Sequence, residues 1–127
     1  DWNGVSVFLV HLALHGATRG RQLRLLRTLL PTKRPFIVTG DFNTLTGAQE
    51  LEELRSDYSL ASANAANEPT FPAWKPEKEL DFILYSPGIV PKGFRVPQVR
   101  CSDHLPLIFD FELEAHCAQG ETQNGIS

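Results

Sequence analysis

The 127-residue chain contains no methionine, only two cysteines and no long apolar run. The missing methionine predicts a processed product or a fragment of a longer reading frame. Cys101 and Cys117 are too few for a disulfide framework and lack the spacing of a metal site. A membrane helix needs about 18 consecutive apolar residues, and neither such a run nor a signal peptide is visible. The two cysteines leave the compartment open, and the other absences favour a soluble, cytoplasmic protein.

The chain also has only a small excess of charge of one sign. The net charge is −3, and the chain is 42% apolar and 21% charged, as in an ordinary globular protein. Nothing global attracts it to nucleic acid or to an anionic membrane. A stripe of Arg21, Arg24 and Arg27 could bind a nucleic-acid backbone locally, but a solvated outer helix face is the favoured interpretation. The length fits one domain with a real core.

The apolar pattern predicts five strands and two helices. Short β-branched and aromatic runs indicate buried strands, whereas leucines at spacings of three and four indicate amphipathic helices. The predicted strands span residues 5–10, 35–39, 80–85, 94–99 and 107–113. The predicted helices span residues 18–30 and a segment that begins at a Thr46…Gln49 capping box and ends near Arg55.

This order of elements predicts an α/β fold: a mixed β-sheet with helices on one face. The first strand–helix–strand unit is expected to be parallel and right-handed. Residues 59–79 lack a clear period and are predicted to be mostly loop. Residues 1–115 are predicted to form one domain, followed by a polar, glycine-bearing, disordered tail at 116–127.

Asp41 and Asn43 directly follow the second predicted strand. In an extended segment residues i and i+2 point to the same side, so both groups would project from the carboxyl edge of the sheet, where α/β folds bind ligands. Asp41 could ligate a metal or orient a water, and Asn43 could donate to a phosphoryl oxygen. An Asx turn after Gly40 explains the same residues without chemistry.

Two further acids stand near predicted strands. Asp81 lies inside an apolar run, where burying a carboxylate is costly unless it has a partner; a histidine is a natural one, because the carboxylate fixes its tautomer. Asp103 suits Mg²⁺ or Mn²⁺, and His104 could move a proton or stabilise charge on a phosphoryl oxygen. The alternatives are an outward-facing Asp81 and a polar turn at Asp103-His104.

His11 ends the first predicted strand, so it is expected at the same sheet edge as Asp41. His15 completes a His-x-x-x-His pattern, but the preceding strand argues against the helix that a zinc pair needs. Phe71 and Trp74 could stack on a base or pin their loop, and pinning is favoured.

Five motifs in this order resemble the endonuclease/exonuclease/phosphatase superfamily of metal-dependent phosphodiesterases, in the style of uncharacterised bacterial members. The resemblance covers residues 5–113 and implies one half, the C-terminal half, of a four-layered α/β sandwich. The motifs are His11-Leu12, Gly40-Asp41-Phe42-Asn43, Thr70-Phe71-Pro72, Leu80-Asp81-Phe82-Ile83-Leu84 and Ser102-Asp103-His104-Leu105-Pro106.

The resemblance implies catalytic roles for His11, Asp41, Asn43, Asp81 and His104. Asp41 would position or activate the attacking water and, together with Asp103, bind Mg²⁺ or Mn²⁺. Asn43 would hold the phosphate. Asp81 would orient His104, which would contact the scissile phosphate beside the imidazole of His11.

The implied function is metal-dependent hydrolysis of phosphoester bonds by a nuclease, phosphatase or phosphodiesterase. The resemblance implies a nucleic acid, an inositol phosphate or a phospholipid headgroup as substrate, and nothing in the sequence selects among them. A metal-binding Glu of the family's first half has no counterpart here, so we expect the chain alone to be weakly active or inactive. An uncovered apolar sheet face would favour a homodimer or an N-terminal half as partner. The alternative is a non-catalytic scaffold or binding domain that retains remnant motifs.

Overall fold

Strands and helices alternate along the first half of the chain, and strands follow in the second. The computed structural model describes residues 4–114. The strands are β1 Ser6–His11, β2 Phe36–Asp41, β3 Ala61–Ser62, β4 Asp81–Tyr85, β5 Ile89–Arg95 and β6 Ile108–Leu113. The helices are α1 Gly16–Leu29, between β1 and β2, and α2 Gln49–Tyr58, between β2 and β3.

A four-stranded sheet in the order β1-β2-β4-β3 forms the centre of the fold. β1 and β2 are parallel, with His11 opposite Asp41, which confirms the parallel pairing predicted for the first strand–helix–strand unit. β4 runs antiparallel to β2 and places Asp81 opposite Asp41. Three side chains singled out from the sequence therefore stand side by side at one edge of the sheet.

Both helices cover the same face of this sheet. Leucines spaced three or four residues apart give each helix an apolar stripe, and these stripes bury against alternate residues of the strands. The fold class predicted from the sequence, an α/β protein with a mixed sheet and helices on one face, is confirmed. The buried side chains of this core are Leu12, Leu23, Leu26, Leu30, Phe36, Val38, Phe42, Leu51, Leu54, Leu60, Phe82 and Leu84.

The opposite face is only partly covered. β5 and β6 form a separate antiparallel hairpin, and Ile89 with its neighbours packs against Ile37 and Tyr85 of the central sheet. The edge strand β1 lies beyond this cover, so that Val7 is 50% exposed and Leu9 is 82% exposed. Among residues 4–114, the large apolar side chains of the central sheet that are exposed are those of Val7 and Leu9 on β1.

Two local predictions were wrong. α2 begins at Gln49 after Ala48 and has no side-chain cap, because the hydroxyl of Thr46 instead donates to Glu79 Oε1 at 2.5 Å. The fourth predicted strand lies at Ile89–Arg95 rather than 94–99. Its early residues include Pro91 and Gly93, which are typical of turns, but a bulge between them allows the pairing with β6 to continue.

Three other expectations concern the remaining segments. The predicted loop at 59–79 contains the two-residue strand β3. Among residues 4–114, no helix is long and apolar enough to cross a membrane. The predicted tail at 116–127 lies outside the described residues.

Candidate active site

Backbone contacts hold the carboxyl ends of β1 and β2 close together. Gly40 has φ +134°, and a Cβ atom there would lie 1.9 Å from the carbonyl oxygen of Val10. Only glycine lets the two strands approach at this point. Beyond the strands, Leu12 N–H donates to Asp41 O at 2.9 Å, and Phe42 N–H donates to Leu80 O at 2.9 Å. The site residues are therefore carried on a rigid edge.

Asn43 does not continue the strand in extended form, as the i, i+2 interpretation required. Its φ is +48°, and its backbone N–H donates to Asp41 Oδ1 at 2.9 Å, which makes an Asx turn. The side-chain Nδ2 donates to Leu12 O at 2.6 Å. Asn43 thereby ties the end of β2 to the end of β1, while both Asp41 and Asn43 still line one cavity.

Asp81 and His104 form a close side-chain pair at the site. His104 Nδ1 lies 2.7 Å from Asp81 Oδ2, and the same oxygen accepts the hydroxyl of the fully buried Thr70 at 2.7 Å. The Thr70 hydroxyl in turn accepts the backbone N–H groups of Leu80 and Asp81 at 3.2 and 3.3 Å. The orientation of the imidazole is thus set from behind by a chain of hydrogen bonds.

Asp41 faces two imidazoles. Its Oδ2 lies 3.5 Å from His104 Nε2 and 3.6 Å from His11 Nε2. The two rings differ in setting: the side chain of His11 is 80% exposed, whereas the His104 ring packs against Phe71 with centroids 4.7 Å apart. Phe71 therefore pins His104 in place.

The pKa of His104 is raised above its usual value of 6.5. Burial of the ring opposes the charge and lowers the pKa. The hydrogen bond to Asp81 and the negative charges of Asp81, Asp41 and Asp103 outweigh burial. The imidazolium form is therefore stabilised relative to that of a free histidine, at the wall of a cavity.

These side chains surround an open cavity of about 680 Å³. Its wall also contains Leu14, Leu45 and Lys78, which were missed from the sequence because two exposed leucines and a loop lysine carry no motif. The lining residues are His11, Leu14, Asp41, Asn43, Thr44, Leu45, Phe71, Lys78, Leu80, Asp81, Asp103 and His104.

Among residues 4–114, one group of three side chains could hold a metal ion. Ligand atoms of Asp41, Asp81 and His104 all lie within 4.8 Å of one another. Carboxylate oxygens suit a hard divalent cation, so this donor set could hold a divalent metal ion at Asp41. Asp103, the other ligand expected from the sequence, lies outside this group, although it lines the same cavity and accepts the Ser102 hydroxyl at 3.2 Å.

The remaining sequence candidates stand apart from the cavity wall. His15 is exposed at the start of α1. Arg21 and Arg24 are exposed, whereas Arg27 pairs with Asp57 at 2.6 Å. Trp74 is 60% exposed, so of the two aromatic residues in its loop it is Phe71 that packs at the site.

Solved structures share this fold. An endonuclease/exonuclease/phosphatase from Bacteroides vulgatus aligns over 77% of this chain and 45% of its own, with a TM-score of 0.66 and 24% identity. A mannosyl-6-phosphatase from Bacteroides thetaiotaomicron aligns over 84% and 51%, with a TM-score of 0.69 and 22% identity. The human Nocturnin catalytic domain with bound sulfate aligns over 87% and 46%, with a TM-score of 0.61 and 26% identity.

The chain therefore spans about half the length of the solved structures that it matches. No curated protein matches it. The sequence model of one family matches residues 7–104, from β1 to the histidine that pairs with Asp81. Because this match covers most of the chain and the whole site, the chain belongs to the Endonuclease/Exonuclease/phosphatase family.

Proposed function

We propose that this chain carries the phosphate-facing part of a metal-dependent phosphoester hydrolase. One observation supports this most strongly: a single carboxylate oxygen, Asp41 Oδ2, lies within 3.6 Å of ring nitrogens of both His11 and His104. At the wall of an open cavity, such a carboxylate could deprotonate a water molecule, while the two imidazoles beside it bind an anion. Membership of the family adds the reaction class.

Mg²⁺ or Mn²⁺ would be held at Asp41, with Asp103 on the same cavity wall as the second proposed ligand. When bound, such a cation neutralises phosphate charge and stabilises the leaving oxygen during in-line attack. Asp81 is already engaged by His104 and Thr70, so its proposed task is to orient His104 rather than to bind metal.

The other residues have separate tasks in this proposal. Asp41 accepts the proton of the attacking water. His104 and His11 donate from their ring nitrogens to phosphoryl oxygens. An amide nitrogen has two N–H groups, and one of those of Asn43 is taken by Leu12 O, which leaves the other for the phosphate.

We propose further that a second polypeptide segment completes the cleft. The aligned part of this chain covers only about half of each matched structure. His11 on the cavity wall and Leu9, two residues before it on β1, are exposed. An N-terminal half would cover these residues, and a second copy in a homodimer is the other occupant. The substrate belongs to the phosphate esters, among which nucleic acids, inositol phosphates and phospholipid headgroups are the classes to test.

Calorimetric titration with Mn²⁺, followed by hydrolysis of bis-p-nitrophenyl phosphate, tests this function on the chain as it exists. We expect Mn²⁺ binding that Asp41→Asn weakens at least tenfold, together with weak, chelator-sensitive turnover. Asp110→Asn, an exposed acid on β6, is the matched control and should change neither. Absence of Mn²⁺ binding would overturn the proposal and favour a scaffold. Full turnover by the monomeric chain would overturn the need for a second segment.

A further inference from the structure

Arg19 joins three parts of the molecule near the start of α1. Its Nη1 donates to the carbonyl oxygens of Ala13 at 3.2 Å and Leu14 at 2.7 Å. Its Nε donates to Glu50 Oε1 of α2 at 2.5 Å. The Arg19 side chain is only 15% exposed, and hydrogen bonds from a charged donor are stronger than neutral ones.

Arg19 binds the segment that follows His11. Ala13 N–H donates to Gln22 Oε1 of α1 at 2.8 Å, and Leu12 O accepts from Asn43. Residues 12–14 belong to neither a strand nor a helix. The backbone bond from Leu12 N–H to Asp41 O holds the start of this segment. Side chains hold the rest of it, and Leu14 lines the cavity.

We infer that Arg19 is a positioning residue: it holds residues 13–14, and with them the Leu14 wall of the cavity, in place beside His11. The inference rests on the proposed function for its catalytic consequence, but the clamp itself is a property of the fold. Arginine suits the task because its planar fork donates in several directions at once, which the single ammonium of lysine cannot reproduce.

Arg27 provides a matched control within the same helix. It pairs with Asp57 of α2 at 2.6 Å and lies over the ring of Tyr58. It therefore bridges the same two helices as Arg19 does, but about 12 Å further along α1. Arg27→Ala removes a comparable bridge between helices without removing a bond to the 12–14 segment.

Hydrogen exchange measured by NMR on the whole chain tests the clamp without any need for turnover. We expect Arg19→Ala to speed exchange of the Ala13 amide at least tenfold and to shift the ring signals of His11, while the amides of β4 keep their protection. Arg27→Ala should leave Ala13 and His11 unchanged. Equal effects of the two variants, or an unchanged Ala13 amide in Arg19→Ala, would overturn the inference.

Arg19→Lys serves as the second variant, in case Arg19→Ala fails to fold. It keeps a cation near Glu50, so we expect an intact fold but faster exchange at Ala13. Where the wild-type chain hydrolyses bis-p-nitrophenyl phosphate, Arg19→Lys should lower kcat about tenfold with a smaller change in KM, and Arg27→Ala should lower neither. An unchanged exchange rate and kcat in Arg19→Lys would overturn the clamp. A wild type without Mn²⁺ binding overturns only the proposed function.

Discussion

His104 Nδ1 and Asp81 Oδ2 lie 2.7 Å apart, although 23 residues separate them in the chain. The same Asp81 oxygen also accepts the hydroxyl of Thr70. Two donors therefore converge on one carboxylate oxygen, and the far nitrogen of the ring is left facing Asp41 and the cavity. The contact fixes both the direction of the imidazole and its preference for the charged form.

Replacing Asp81 by asparagine should lower the pKa of His104. Burial lowers the pKa of His104, and the hydrogen bond and charge of Asp81 are the main causes that raise it. Without them, the effect of burial should dominate. NMR titration of the ring protons measures the effect directly. Asp103→Asn is the control, because the charge of Asp103 contributes less than that of Asp81; an equal fall in both variants would contradict a special pairing.

The pairing shows what could be read from the sequence. Asp81 stood in an apolar run, and the cost of burying a lone carboxylate indicated that it has a partner. The parallel strands placed His11 and Asp41 at one edge, as predicted. Both inferences rest on rules that act within one strand or between neighbouring strands.

Features that depend on distant parts of the chain were missed. The Thr46…Gln49 pattern is a local capping signal, but Thr46 finds Glu79, 33 residues away. The clamp formed by Arg19 and Glu50 spans 31 residues. No local pattern records such contacts, because they exist only once two elements have packed.

Replacing Thr70 by valine should destabilise the fold by about 1–3 kcal/mol, the usual cost of leaving buried polar groups unpaired. The fully buried hydroxyl donates to Asp81 and accepts two backbone N–H groups, and valine keeps its shape but not its bonds. Denaturant unfolding measures the loss. Thr70→Ser keeps the hydroxyl and should lose only about 1 kcal/mol for the missing methyl group; equal losses would show that packing, not bonding, matters.

Replacing Glu79 by glutamine should stabilise the protein at neutral pH but not at pH 4. Burial raises the pKa of Glu79 above 4.5, and the Thr46 bond and the charge of Arg55 offset only part of this effect. A raised folded-state pKa means that stability falls as pH rises through and above 4.5. Glutamine keeps an oxygen for Thr46 and abolishes this ionisation.

Thermal melts of wild type and Glu79→Gln at pH 4 and pH 7 measure this difference. We expect a melting temperature a few degrees higher for the variant at pH 7 and similar values at pH 4. Glu77→Gln is the control, because Glu77 is exposed and its pair with Lys75 is long, at 3.8 Å, so it should change little. A variant less stable at pH 7 would show that the ionised carboxylate is favourable.

Replacing Gly40 by alanine should damage the fold far more than the same change at Gly47. Both glycines have positive φ, +134° and +85°, and a left-handed conformation costs a non-glycine residue roughly 1–2 kcal/mol. At Gly47 nothing lies within 4 Å of the added Cβ, whereas at Gly40 the carbonyl oxygen of Val10 lies at 1.9 Å. Gly40→Ala must therefore force β1 away from β2, and with it His11 from Asp41.

Denaturant unfolding should show a loss of roughly 1–2 kcal/mol for Gly47→Ala and a much larger loss, or no folded protein, for Gly40→Ala. Similar stabilities would mean that the strand edge yields without cost.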